Sequence, residues 1–152
     1  MSIFEAVYLK PLMSPDILVY LPQRPPFVMI SNLLSADGTT TRSTFDITED
    51  NILVTNGLFT EPGLIENMAQ TAGTGTGYHA KENGQPTPLG YIAMLKNVQI
   101  LSLPKVNETI TTEVTFEQAV LNFHHVKGRV MLGEKEIASC EFKIFVSTNP
   151  AA

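Results

Sequence analysis

Through most of the second half of the chain, hydrophobic and polar residues alternate with a period of two, which predicts a strand-rich C-terminal half. The alternation is strictest over residues 109–117, where Ile110, Thr112, Val114 and Phe116 oppose Thr111, Glu113, Thr115 and Glu117. Such a pattern is that of an antiparallel strand with one face packed and one in water. Residues 121–132 and 135–148 read as two further strands joined by Gly133 and Glu134, with Ala138, Cys140, Phe142, Ile144 and Val146 sharing a face of the second. Residues 90–101 differ. They are apolar on both faces from Tyr91 to Leu95, as expected of a central strand or of one buried at a subunit contact.

The first half mixes periods. Ser14 followed by Pro15 predicts a short helix over 14–21, stopped by Pro22, Pro25 and Pro26. Strands are predicted over 27–34 and 40–47, with an Asp37-Gly38 turn between them. Thr60, Glu61 and Pro62 then precede apolar positions at Leu64, Ile65, Met68, Ala69 and Ala72, so a long helix should begin there and run to about residue 80. Its second half contains Gly73, Gly75 and Gly77 interleaved with threonine, which is poor helix material. Glycine in a helix permits close backbone approach, so this segment should be sandwiched tightly by a sheet curled around it. It lies inside a helical pattern rather than between a strand and a helix start, which argues against a phosphate-binding loop.

Length and composition narrow the picture. At 152 residues the chain is expected to form one domain over 1–152, with an N-terminal segment over 1–21 and the central helix over 60–80. A net charge of −5 argues against nucleic acid or an anionic membrane as the main partner. No basic segment leads a long apolar run at the N-terminus, and no uncharged stretch reaches the ~18 residues a membrane helix needs. Cys140 is the single cysteine, which suits a reducing compartment, so a cytoplasmic protein is expected. The expected fold class is α+β, an antiparallel sheet wrapped around one long helix.

Two segments carry a family resemblance. Leu21-Pro-Gln-Arg-Pro-Pro-Phe27 resembles the Leu-Pro-His-Arg-x-Pro-Phe of the beta-hydroxyacyl-acyl carrier protein dehydratases, and Gly63-Leu-Ile-Glu-Asn-Met-Ala-Gln-Thr-Ala-Gly73 resembles their Leu-Ile-Glu-x-x-Ala-Gln-x-x-Gly helix. Residues 92–99 and the turn from Pro104 to Ile110 are similar to the family's third strand and the loop after it. The resemblance runs over roughly residues 20–148 and implies a hot-dog fold.

By that resemblance Glu66 is the active-site carboxylate, and Gln70, one turn further on the same helix face, orients it. Family members pair this glutamate with a histidine from a Gly-His-Phe-Pro-Gly stretch, contributed across a dimer interface. This chain has Gly57-Leu-Phe-Thr60, so Leu58 stands where the histidine is expected, and the run to Glu66 is several residues shorter. Leucine is neither acid nor base. The remaining expected substrate contacts are Leu58, Phe59 and the helix-start amides at Gly63 and Leu64, whose N–H groups face a thioester carbonyl. Among three histidines, His79 sits near the helix C-terminus, His125 shares a face with Lys127 and Arg129, and His124 shares one with Val126 and Val130. His124 is the best substitute base if the sheet brings it to a partner's helix. Glu61 lies on a different side of the helix from Glu66 and is expected to be solvated.

The expected function is a 3-hydroxyacyl-thioester dehydratase-like protein acting on an acyl carrier protein or coenzyme A thioester, without cofactor or metal. It is expected to be a homodimer or a heterodimer with a homologous subunit. Two alternatives stand beside it: a non-catalytic acyl-binding partner of an active dehydratase, and a thioesterase using Glu66. Lys96, Lys105, Lys127, Arg129 and Lys143 are candidates for a basic rim that meets the carrier.

Overall fold

The structure, a computed structural model, describes residues 16–147. Eight strands and one long helix follow the order β1 (Asn32–Ala36), β2 (Thr40–Asp46), β3 (Val54–Thr55), β4 (Leu58–Phe59), α1 (Glu61–Glu82), β5 (Leu89–Ile100), β6 (Thr109–Val120), β7 (Phe123–Leu132) and β8 (Lys135–Ser147). Six strands form one antiparallel sheet in the order β1-β2-β6-β7-β8-β5, while β3 and β4 make a separate small hairpin. The sheet wraps α1, as the glycine-rich helix sequence requires.

The alternation read along β6 and β8 decides which face is covered. Ile110 and Val114 of β6 and Ala138, Cys140 and Phe142 of β8 are buried against Leu64, Met68 and Ala72 of α1. Burial pushes the Cys140 thiol up to about 12, with the neighbouring Glu141 charge adding to the rise, so this cysteine is packing and not a nucleophile. Threonines on the buried side of α1 satisfy their hydroxyls against the helix itself: Thr71 donates to Asn67 O and Thr74 to Gln70 O, each at 2.8 Å.

The glycines of α1 divide into two kinds. A Cβ at Gly75 would lie 2.0 Å from Thr41 Oγ1, and one at Gly77 would lie 2.1 Å from the backbone oxygen of Tyr20. At Gly73 the nearest atom is Leu21 Cδ2, at 3.9 Å. Gly77→Ala is therefore expected to lower folding stability by about 2 kcal/mol through overpacking against backbone. Gly73→Ala should raise it by up to about 1 kcal/mol through helix propensity. Thermal unfolding of the two variants checks this, and the reverse order would contradict the packing described.

Several sequence expectations need correction. Thr60 has the extended backbone of an N-cap, but its hydroxyl donates to Leu53 O at 2.7 Å and does not cap the helix. The short N-terminal helix is a 3-10 turn over Ile17–Val19, capped by Asp16, whose Oδ1 accepts from Leu18 N at 3.0 Å. Ser14 and Pro15 lie outside the described residues, as does Thr148 at the end of the last predicted strand. Residues 27–31 are not strand, because side chains of α1 bind the backbone groups of Phe27 and Met29 that a neighbouring strand would take.

β5 is the second departure. It lies at one edge of the sheet, not in its centre. Tyr91, Ile92, Met94, Leu95 and Val98 are all exposed along it, which leaves the subunit-contact reading of its two apolar faces. Lastly, the β3–β4 hairpin, which no sequence expectation covered, turns at Asn56 and Gly57, both with positive φ, 52° and 77°, the residue pair and conformation a two-residue hairpin favours. No helix among the described residues is long and apolar enough to cross a membrane.

Candidate active site

Glu66 and Gln70 sit one turn apart on α1, and the two sequence motifs meet at Gln70. Its Nε2 donates to Glu66 Oε1 at 2.9 Å and to Phe27 O at 2.8 Å, while its Oε1 accepts from Met29 N at 2.7 Å. The amide orientation follows from these partners. Met29 N–H can only donate, so the oxygen must face it and the NH₂ group must face the glutamate. Asn67 adds a second tie to the same segment, its Nδ2 donating to Met29 O at 2.8 Å. The Pro-rich motif and the two residues after it thus supply backbone N–H and C=O groups, outside any strand, that lock the helix side chains.

Gln70 binds Oε1 of Glu66. Among the described residues no cation pairs with this carboxylate. It lines a cavity of about 290 Å3 between α1 and the sheet, whose walls include Gln23, Tyr91, Ile92 and Phe116. Tyr91 and Ile92 are 56% and 41% exposed on the free edge of β5, so the cavity reaches the open side of the sheet. Gln23, in the position the resemblance gives to a histidine, has its Oε1 buried without a hydrogen-bond partner.

The other expected site residues lie elsewhere. Phe59 is fully buried in the core, its ring covering Gly63 and packing on Phe45 at 5.3 Å between centroids. Leu64 is equally buried, and its amide donates to Thr60 O at 3.0 Å, which removes it from the set of free donors. Leu58 is half-buried, held in the β3–β4 hairpin and bridged to Lys105. None of these four lines the Glu66 cavity within one chain.

His124 lines a different, larger cavity of about 650 Å3 that also contains His79. Its ring meets Phe116 edge-on at 6.0 Å. Of the candidate basic residues, three are already engaged: Lys127 pairs with Glu117 at 3.3 Å, Arg129 pairs with Glu113 at 3.2 Å, and Lys143 lies over the Phe123 ring at 4.8 Å. Glu61 is exposed, as expected. The residues that sequence reasoning missed here are Phe116, whose alternation marked it only as inward-facing, and Asn67, which no motif singled out.

Comparison with known proteins agrees with this architecture. Residues 15–152 match the family described as ApeP-like, ApeP dehydratase. Over 90 residues the chain is 37% identical to the 3-hydroxyacyl-[acyl-carrier-protein] dehydratase FabZ of Rhizobium johnstonii, a match covering 55% of this chain and 56% of that protein. It thus spans about half the length of that curated relative. Among solved structures, the dehydratase heterocomplex ApeI:P from Xenorhabdus doucetiae superposes with a TM-score of 0.81 at 17% identity, covering 90% of this chain and 93% of the other. A hypothetical thioesterase protein with coenzyme A from Streptococcus pneumoniae gives 0.61 at 12% identity, covering 76% and 84%. These structural likenesses show the hot-dog fold.

Proposed function

This chain belongs to the ApeP-like dehydratase family, and from that premise we propose that it is a cytoplasmic hot-dog subunit that binds a 3-hydroxyacyl thioester beside Glu66. The observation that carries this reading is the Gln70 clamp, which holds one carboxylate oxygen of Glu66 and leaves the other at a cavity of substrate scale. The thioester is carried by an acyl carrier protein or by coenzyme A.

Dehydration removes the α-proton of the substrate and expels the 3-hydroxyl as water, giving the trans-2-enoyl thioester. Glu66 is the general acid: its carboxyl group delivers a proton to the departing hydroxyl. The α-proton goes to a base, and Leu58 cannot be one. The geometry supports a base supplied by a second subunit, because β5, whose Tyr91 and Ile92 wall the cavity, is the exposed apolar edge of the sheet. A long apolar edge strand with unpaired backbone groups is suited to covering by another chain.

This chain is accordingly proposed to work as one half of a hot-dog pair. Where the second half is a homologous subunit that carries the histidine, the site is completed in a heterodimer; Leu58 favours that arrangement over a self-sufficient homodimer. Purified chain, alone and mixed with a histidine-bearing hot-dog dehydratase, should be incubated with 3-hydroxyacyl carrier-protein and coenzyme A thioesters. Enoyl product above the sum of the separate proteins is the expected result. No product in any arm, together with no binding of either thioester, rejects the reading, and release of free thiol would assign thioester hydrolysis instead.

Pairing through β5 has its own test. Met94→Glu combined with Leu95→Lys places charges on both exposed faces of the strand and is expected to shift the assembly to monomer in sedimentation equilibrium while the circular dichroism spectrum stays that of a folded chain. Unchanged mass would exclude β5 as the contact.

A further inference from the structure

The two cavities described above share a wall: Thr76, Pro88 and Phe116 line both. Along α1, Glu66, Ala69, Gly73 and Thr76 border the smaller one, and Thr76, Ala80 and Asn83 border the larger. Alternating steps of three and four residues trace a single stripe of helix surface. At a rise of 1.5 Å per residue, Thr76 lies about 15 Å beyond Glu66. Between them the stripe carries Ala69 and Gly73, flanked at the cavity by Gln70 and Ala72, and a Cβ at Gly73 would meet Leu21 Cδ2 at an ordinary contact distance of 3.9 Å. Beyond Gln70, a floor of small residues, Ala69, Ala72 and Gly73, therefore leads from the carboxylate to the shared wall.

We propose that the larger cavity receives the distal end of a long acyl chain whose thioester lies at Glu66, with Phe116 as the partition that sets how far a chain reaches. This rests on the thioester reading above. The smaller cavity, at about 290 Å3, holds a short chain by itself; a longer chain passes between Phe116 and Thr76 into the further 650 Å3. Phe116 suits the part. It belongs to the inward face of β6 and packs only at the margin of the main core, and its other neighbour is the His124 ring, edge-on at 87°. Unlike Phe59 or Phe142, it is only partly buried. Chain-length selection then resides in one aromatic side chain on the sheet and one threonine on the helix.

The test is isothermal titration of the full chain, in the assembly it forms when purified, with octanoyl- and tetradecanoyl-pantetheine thioesters. Phe116→Ala joins the cavities and is expected to raise the ratio of tetradecanoyl to octanoyl affinity about tenfold, a gain of ~1.4 kcal/mol that matches the burial of roughly two further methylenes. Thr76→Leu narrows the same passage from the other side and is expected to lower that ratio by a similar factor. Should Phe116→Ala fail to fold, Phe116→Leu keeps an apolar residue at the margin of the core and carries the same expectation in smaller measure. A ratio that is unchanged or moves the opposite way in folded variants, with both thioesters bound, overturns the chain-length assignment alone. If neither thioester binds the wild-type chain, the thioester reading falls and this assignment with it.

Discussion

Replacing Glu66 with Gln is expected to lower dehydration by the assembled subunits by about two to four orders of magnitude, the usual contribution of a positioned general acid or base. The substitution is conservative in every respect but one. A glutamine at position 66 still offers a carbonyl oxygen to Gln70 Nε2, so the 2.9 Å hydrogen bond and the side-chain position survive. What disappears is the capacity of this side chain to give up or take a proton. Binding of the substrate should therefore hardly change while turnover collapses, the pattern of an interaction made only in the transition state. Stability should stay within about 0.5 kcal/mol of wild type, as for a substitution that leaves no buried group unpaired. Turnover within threefold of wild type, measured in the active assembly, would remove Glu66 from the chemistry.

The largest expected effect on stability is at the neighbouring position. Gln70→Leu strands three groups at once: the Met29 N–H, the Phe27 carbonyl and one oxygen of Glu66. Gln70 itself is buried, and each unpaired buried polar group costs about 1–3 kcal/mol. Partial relaxation and water reaching the Glu66 end reduce the sum, so a loss of about 3 kcal/mol is expected in urea unfolding. The Asn67 contact to Met29 O persists in the variant and limits the loss. Gln70→Glu should not rescue it, because a carboxylate has no donor for the Phe27 carbonyl and repels Glu66. A Gln70→Leu protein as stable as wild type would mean that the Pro-rich segment is held by something other than this clamp.

Residue Leu58 separates architecture from chemistry. The helix motif, the Pro-rich motif and the strands after them are those of a dehydratase-type hot-dog domain, whereas the family's histidine position holds a side chain that moves no protons. The structure widens that separation. Within one chain Leu58, Phe59, Gly63 and Leu64 stand apart from the cavity that Glu66 lines. Glu66 has the support of the Gln70 hydrogen bond, while Leu58 stands where the resemblance places a histidine.

Much of this was readable from local pattern. The positions of α1, β2, β6 and β8 and the inward faces of β6 and β8 follow from periodicities of 3.6 and 2, which the backbone geometry of helix and strand imposes on any chain, although β6 runs on to Val120 and α1 to Glu82; the pairing of Glu66 with Gln70 was marked by the family resemblance. The tight enclosure of Gly75 and Gly77 was legible too, since nothing else explains those residues inside a helix. Other features depend on groups far apart in sequence. Residues 27–31 have the composition of a strand, but Gln70 and Asn67, some 40 residues on, take their backbone hydrogen bonds. β5 has the composition of a central strand but lies at an edge with its apolar residues exposed, because apolar composition alone does not say what covers a strand. Thr60 has the identity of a cap but spends its hydroxyl on Leu53. Single-residue propensities therefore determined which elements form and which faces are apolar. Only the tertiary structure decided which backbone groups Gln70 holds, which edge stays open, and that Phe116 stands between two cavities, because hydrogen-bond partners and cavity walls are assigned by proximity in space and leave no period in the chain.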